Sequence, residues 1–266
     1  MVGPGDTSPA ERFEKAANAL AREHRRTAAE VEAFRAFEER VGEVTRDTGT
    51  AVGKAAPVQA VASPGRGLDR VREHYRETVM AVPHYEAEYA ESYAESVREE
   101  LGPDIGALLV GGQRFERHHK HAIVSKSREI RELREQLLAA LDAERESLTA
   151  LRDPVCSLAE QIDSLGSAGL DTDSYSQLDA YRSRLDVVET RCHELIERRQ
   201  SETVTERRSL SLPIGGPDIQ TYVYNDLPVN YPVIATLTGL IDAAATARAN
   251  IEVELSCRSP PEPALR

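Results

Sequence analysis

Apolar residues recur at threes and fours along most of the chain, a spacing that predicts helices. Phe13, Ala17, Leu20, His24, Ala28, Val31, Phe34, Val41 and Val44 form the first stripe, with a gap between Phe34 and Val41. "SPAE" opens it: Ser8 caps, Pro9 suits the first turn and Glu11 completes a capping box. Residues 1–46 are thus expected to hold one long helix. Residues 47–67 are rich in Gly, Ala and Pro and read as a flexible linker. Residues 68–112 predict a bent, tyrosine-rich helical region. Leu68, Val71, Tyr75, Val79 and Val82 make one stripe, and Pro83 restarts or kinks the helix. Tyr85, Tyr89, Tyr93, Val97 and Leu101 continue at intervals of four. Gly102 to Asp104 ends that helix, and "IGALLVGG" adds at most a short one.

Residues 113–205 predict a long helical hairpin. Its first arm, Arg114 to Leu165, carries Ile130, Leu133, Leu137, Leu141, Leu148, Leu151, Val155, Leu158, Ile162 and Leu165 in a near-heptad stripe. Pro154 is expected to bend or divide it. Ser174 and Gln177 cap the second arm, whose stripe is Leu178, Tyr181, Leu185, Val188, Cys192 and Leu195. The short connection favours antiparallel arms. Residues 206–231 read as an irregular loop with an extended segment near 219–225, the "TYVY" word. Residues 232–257 predict a C-terminal helix with Ile234, Leu237, Ile241, Ala244, Ala247, Ile251 and Leu255 on one stripe, and 258–266 a disordered tail. A lone helix cannot bury its own stripe, so these need one another. The fold class is all-α: an elongated helical bundle with a long antiparallel, coiled-coil-like hairpin.

The layout is a charged N-terminal helix, "YRETVMAVPHYEAEYAES", a long charged coil, then "TYVYNDLPVNYPVIATL". It resembles a family of uncharacterised helical proteins of halophilic archaea. The matching words lie at Tyr75–Ser92 and Thr221–Leu237. The resemblance implies a haloarchaeal setting and supplies no activity and no catalytic residues.

Charge agrees with that setting. The net charge is −12, and only Lys15, Lys54, Lys120 and Lys126 of the 33 basic residues are lysine. An acidic, arginine-rich surface suits high salt, where screening removes self-repulsion; a GC-rich genome also favours arginine. The same charge disfavours nucleic acid and anionic membranes as partners. The N-terminus has no basic start followed by an apolar run, so no signal peptide is read. Leu227–Ile241 is too short for a membrane span of about 20 residues. Cys156, Cys192 and Cys257 lack metal-type spacing and suggest a reduced, cytoplasmic location. A disulfide between Cys156 and Cys192 is excluded by their offset along the hairpin.

Four of the nine tyrosines fall within "HYRETVMAVPHYEAEYAESY", His74 to Tyr93. His84, Glu88 and Glu91 share one helix face there and could hold a hard cation. The plainer reading makes the glutamates a solvated flank and the tyrosines core with wet hydroxyls. Glu116 and His119 make a Glu-x-x-His pair, but a di-iron bundle needs two such pairs and the second is missing. The basic island Arg114–Arg128 has five Arg or Lys, spread around the helix, and one aromatic, Phe115. No nucleophile elbow, phosphate loop or dinucleotide fingerprint is present.

The reading is a non-enzymatic helical scaffold or protein-interaction module of a halophilic cytoplasm, without cofactor. It acts through a protein partner or self-association along its stripes. The expected interaction head is Tyr85, Tyr89, Tyr93, Tyr222, Tyr224 and Tyr231, packed together. The alternatives are a metal-binding bundle using His84, Glu88, Glu116 and His119, and a nucleic-acid partner at residues 114–128.

Overall fold

A computed structural model describes residues 8–45, 66–167, 173–209 and 218–258. Among these there are helices and no strand: α1 (Pro9–Glu43), α2 (Arg66–Glu77), α3 (Tyr85–Glu88), α4 (Tyr93–Leu101), α5 (Pro103–Gly111), α6 (Arg117–Gly166), α7 (Tyr175–Ser209), α8 (Ile219–Val223) and α9 (Pro232–Ser256). A 3₁₀ turn, Val79–Ala81, follows α2. The protein is an all-α helical bundle. No described helix is long and apolar enough to cross a membrane. Most of the expected linker, most of the loop after α7 and nearly all of the tail lie outside the described residues.

Contacts divide the chain into two compact units that cut across the linear segments. The first holds residues 1–23 and 140–266, and the second holds 24–139. Helices α1 and α6 contribute residues to both.

In the first unit, α6 supplies Leu141, Leu148, Leu151, Val155, Leu158, Ile162 and Leu165, all buried. Helices α7 and α9 pack together; Leu178, Leu185, Val188, Cys192 and Leu195 of α7 and Val233, Leu237, Leu240, Ala244, Ala247, Ile251 and Leu255 of α9 are buried in this unit, as are Phe13, Ala16 and Leu20 of α1. Pro154 sits inside α6 without ending it. The capping pair of α7 forms as expected. The Ser174 N–H donates to Gln177 Oε1 at 2.8 Å, and the Gln177 N–H donates to Ser174 Oγ at 3.3 Å. Glu144 of α6 meets Arg199 of α7, the pairing of an antiparallel hairpin. All three cysteines are free, and burial pushes the Cys192 thiol up to about 11.

The second unit packs α1, α2, α4, α5 and the first part of α6. Its core includes Phe34, Phe37, Val41, Leu68, Val71, Tyr75, Val97, Leu101, Leu109, Phe115 and Ile123. Phe37 fills the gap in the first stripe, three after Phe34 and four before Val41, and is fully buried. Tyr75 stands edge-on to Phe37 and Tyr93, with centroids 5.3 and 5.8 Å apart. Edge-to-face pairs of this kind add about 0.5–1.5 kcal/mol beyond burial.

Three expectations are corrected. The segment near 219–225 is helical, not extended: Asp218 accepts from the Thr221 N–H at 2.9 Å and starts α8. The tyrosines after Pro83 do not ride one continuous helix. Helix α3 stops at Glu88, Ala90 turns the chain with φ 46°, and Ser92 opens α4 with a full capping box. Leu133 is 53% exposed rather than on the buried stripe, because Arg134 turns inward there instead.

Candidate functional site

Inside the second unit is a cavity of about 250 Å³. Glu30, Ala33 and Phe34 of α1 line it at i, i+3 and i+4, which places them on one helix face. Ser96, Glu99 and Glu100 of α4 repeat that spacing opposite. Tyr85, Tyr89 and Glu91 come from α3 and the turn after it, Val79 and Val82 from the 3₁₀ region, and Arg134 from α6.

The break between α3 and α4 shapes this wall. The left-handed Ala90 ends α3, and Ser92 and Glu95 exchange backbone and side-chain hydrogen bonds to restart the helix. Tyr89 is thereby freed from the stripe and is 41% exposed, while Tyr85 stays buried. Their rings lie 5.7 Å apart and tilted by 48°. The Tyr85 hydroxyl donates to the Glu91 carbonyl at 3.3 Å.

Arg134 organises the polar groups. It donates to Glu30 Oε2 and to Glu100 Oε1, each at 2.7 Å, and lies 4.8 Å over the Phe34 ring. Glu30 Oε1 accepts from Tyr89 Oη at 2.7 Å and from His84 Nε2 at 3.0 Å. Burial pushes the Glu30 carboxyl up, but the Arg134 charge and the bonds from His84, Arg134 and Tyr89 hold it below its ordinary value. For Glu100, burial outweighs the Arg134 charge, and the like charges of Glu30 and Glu91 add to it, so this carboxyl is raised. Burial lowers Arg134, but the Glu100 and Glu30 charges outweigh it and raise the guanidinium. Burial and the bond to Glu30 raise the Tyr89 phenol. Four glutamates and one arginine line the cavity. Glu30 and Glu100 are matched by Arg134; Glu91 and Glu99 have no ion pair among the described residues.

The sequence-predicted residues are placed as follows. His84 pairs with Glu30, and Glu88 pairs with Arg26 of α1. The Glu116 N–H donates to His119 Nδ1 at 3.3 Å, so the Glu-x-x-His spacing closes on itself. Among the described residues no three His, Cys, Asp or Glu side chains gather to hold a metal ion. In the basic island, Lys120 donates to the Gly42 and Val44 carbonyls and Arg128 to Glu38, tying the start of α6 to α1. The six tyrosines of the expected head fall in both units. Tyr85, Tyr89 and Tyr93 belong to the second; Tyr222, Tyr224 and Tyr231 belong to the first. The hydroxyl of Tyr93 is buried without a hydrogen-bond partner among the described residues, and burial pushes it up to about 12. Tyr222 donates to Glu23 at 2.6 Å, and Tyr231 donates to Asp218 at 2.8 Å.

Tyr224 belongs to a second polar cluster, buried in the first unit. Its hydroxyl donates to Glu144 Oε1 at 2.7 Å, and Arg199 Nη2 reaches both Glu144 oxygens at 2.5 and 2.6 Å. Arg199 Nη1 donates to Ser147 Oγ at 2.7 Å, and Ser147 passes the chain to Glu202 at 2.6 Å. Arg199, Glu144 and Tyr224 are all 0% exposed. This cluster fixes α8 and α7 against α6. The sequence reading placed neither Arg134 with Glu30 and Glu100 nor Arg199 with Glu144. One signal was available: Arg134 stands four residues after Ile130, on the stripe itself.

Fold and site together define an all-α protein of long packed helices whose second unit carries a glutamate- and tyrosine-lined cavity. Residues 11–248 match the family described as Domain of unknown function (DUF7260), and the chain belongs to that family. No curated protein and no solved structure matches the chain.

Proposed function

We propose that this chain is a non-enzymatic protein-interaction module of a halophilic cytoplasm, and that the cavity of the second unit is where its partner is gripped. The observation that carries this reading is the fixed network around Arg134. Glu30, Glu100, Tyr89 and His84 hold one another in place, so the cavity is preorganised. Preorganised walls lower the ordering cost of binding. Tyr89 stands half in solvent at this site, and tyrosine is a residue enriched at recognition surfaces. The net charge of −12 with four lysines supports work at high salt.

The test is affinity capture at molar salt with the full chain, side by side with Tyr89→Ala and Glu99→Arg. The proposal expects one partner set, retained by wild type and lost by both variants while circular dichroism stays unchanged. A partner set retained by both folded variants would place recognition elsewhere.

A further inference from the structure

The cavity also states what chemistry it takes, and this step rests on the recognition reading above. We infer that it receives an alkylammonium group, presented as the side chain of a lysine on the partner protein.

Three observations converge. The first is charge: Arg134 is held by Glu30 and Glu100, while Glu91 and Glu99 line the same space with no ion pair among the described residues. Glu99 is exposed and Glu91 half-buried, so both stand on the solvent side. An entering cation meets them first and relieves the like charge that Glu91 presses on Glu100. An anion would meet the opposite field.

The second is shape. At about 250 Å³ the cavity is smaller than pockets for drug-sized ligands, which run to about 300–1,000 Å³. It suits one side chain and excludes a nucleotide. Val79, Val82 and Ala33 supply apolar wall for a methylene stem, which long cationic side chains bury readily.

The third is the aromatic arrangement. Tyr85 and Tyr89 pack ring against ring and line the cavity beside its carboxylates, the setting in which an ammonium is attracted to a ring quadrupole. The Phe34 face is already covered by the Arg134 guanidinium. A second planar guanidinium would compete for that position, whereas a compact ammonium needs only one tyrosine face, and Tyr89 is the more exposed of the two. A bare metal ion is not served, since no metal-type group gathers among the described residues.

Three probes separate the possibilities: Nα-acetyl-lysine N-methylamide, its norleucine counterpart with the same stem and no charge, and putrescine as a free diamine. Binding is read on the full chain by ring resonances of Tyr85 and Tyr89, assigned with Tyr85→Phe and Tyr89→Phe. The chain has no tryptophan, so tyrosine emission gives an independent readout. The lysine probe is expected to saturate one site, with the norleucine probe about tenfold weaker or worse. Glu91→Gln with Glu99→Gln should weaken the lysine probe by about tenfold and leave norleucine unchanged. Equal binding of lysine and norleucine probes would overturn the ammonium assignment while leaving the cavity as an apolar recognition site. Putrescine binding more tightly than the lysine probe would overturn the partner-lysine source in favour of a free amine. If no probe shifts the rings, the ligand class falls, and the capture experiment alone decides the recognition reading. Glu73→Gln, on the exposed side of α2 and outside the cavity lining, controls for the loss of charge and should leave all three titrations unchanged.

Discussion

Replacing Arg134 by leucine tests the cavity's electrostatics, because the cost should depend on pH. Arg134 is 18% exposed and joins Glu30, 15% exposed, to Glu100, 24% exposed. Removing one partner of a buried ion pair costs about 3–5 kcal/mol, since the remaining charge is stranded. Partial exposure here lowers that, and leucine keeps the contact with Phe34, so about 3 kcal/mol is expected at neutral pH. For a unit of this size that corresponds to roughly 10 °C in Tm. In wild type, Glu30 has a lowered pKa, so its stabilisation is present above its unfolded value and is lost as pH falls through its folded one. In the variant, Glu30 and Glu100 keep their burial and lose their cation, so both pKa values rise. The folded variant then binds protons more readily than the unfolded chain, and its stability grows as pH falls through the carboxylate range. The two stability curves should converge in acid. Denaturant melts of both proteins at fixed salt, stepped from pH 7 to pH 4, give the difference directly. A penalty that stays constant across that range would mean that Arg134 acts by packing, and the ion-network account would be wrong.

Other outcomes follow from the same geometry. Arg199→Met strands Glu144 in the first unit and should cost about 3–5 kcal/mol, whereas Arg199→Met with Glu144→Leu and Tyr224→Phe should recover most of it, as buried pairs replaced whole often do; equal losses in the single and triple variants would contradict this. Ala90→Gly removes the side-chain clash of a left-handed residue at φ 46° and should stabilise the second unit by about 1 kcal/mol; a lowered Tm would show that the turn is not strained. Dilution from molar to millimolar salt should reduce helicity measured at 222 nm, since unscreened repulsion acts on a chain of net charge −12; full retention would remove the high-salt reading.

What the sequence disclosed and what it hid divide along a physical line. Apolar periodicity reports which face of a helix is buried, so α1, α6, α7 and α9 were legible from Phe13, Leu148, Leu185 and Ile251 and their neighbours. It says nothing about a polar residue that takes a place on the buried face. Arg134 follows Ile130 by four residues, whereas the apolar pattern runs through its neighbour Leu133, which is exposed. Only the position of two carboxylates on other helices makes an inward arginine stable, and those lie 104 and 34 residues away in sequence. The α3–α4 break was hidden for a different reason. The four-residue spacing of Tyr85, Tyr89, Tyr93, Val97 and Leu101 argued for continuity, while the local word Ser92-Tyr93-Ala94-Glu95 argued for a helix start. The chain breaks there, and the capping box makes the break tolerable: Ser92 and Glu95 satisfy backbone donors that the new helix start leaves open. That break, at the cost of one left-handed alanine, turns Tyr89 out of the core and onto Glu30. The cavity wall is thus built where a capped break interrupts an apolar stripe, and a variant such as Ser92→Ala that weakens the cap should loosen Tyr89 before it loosens the core.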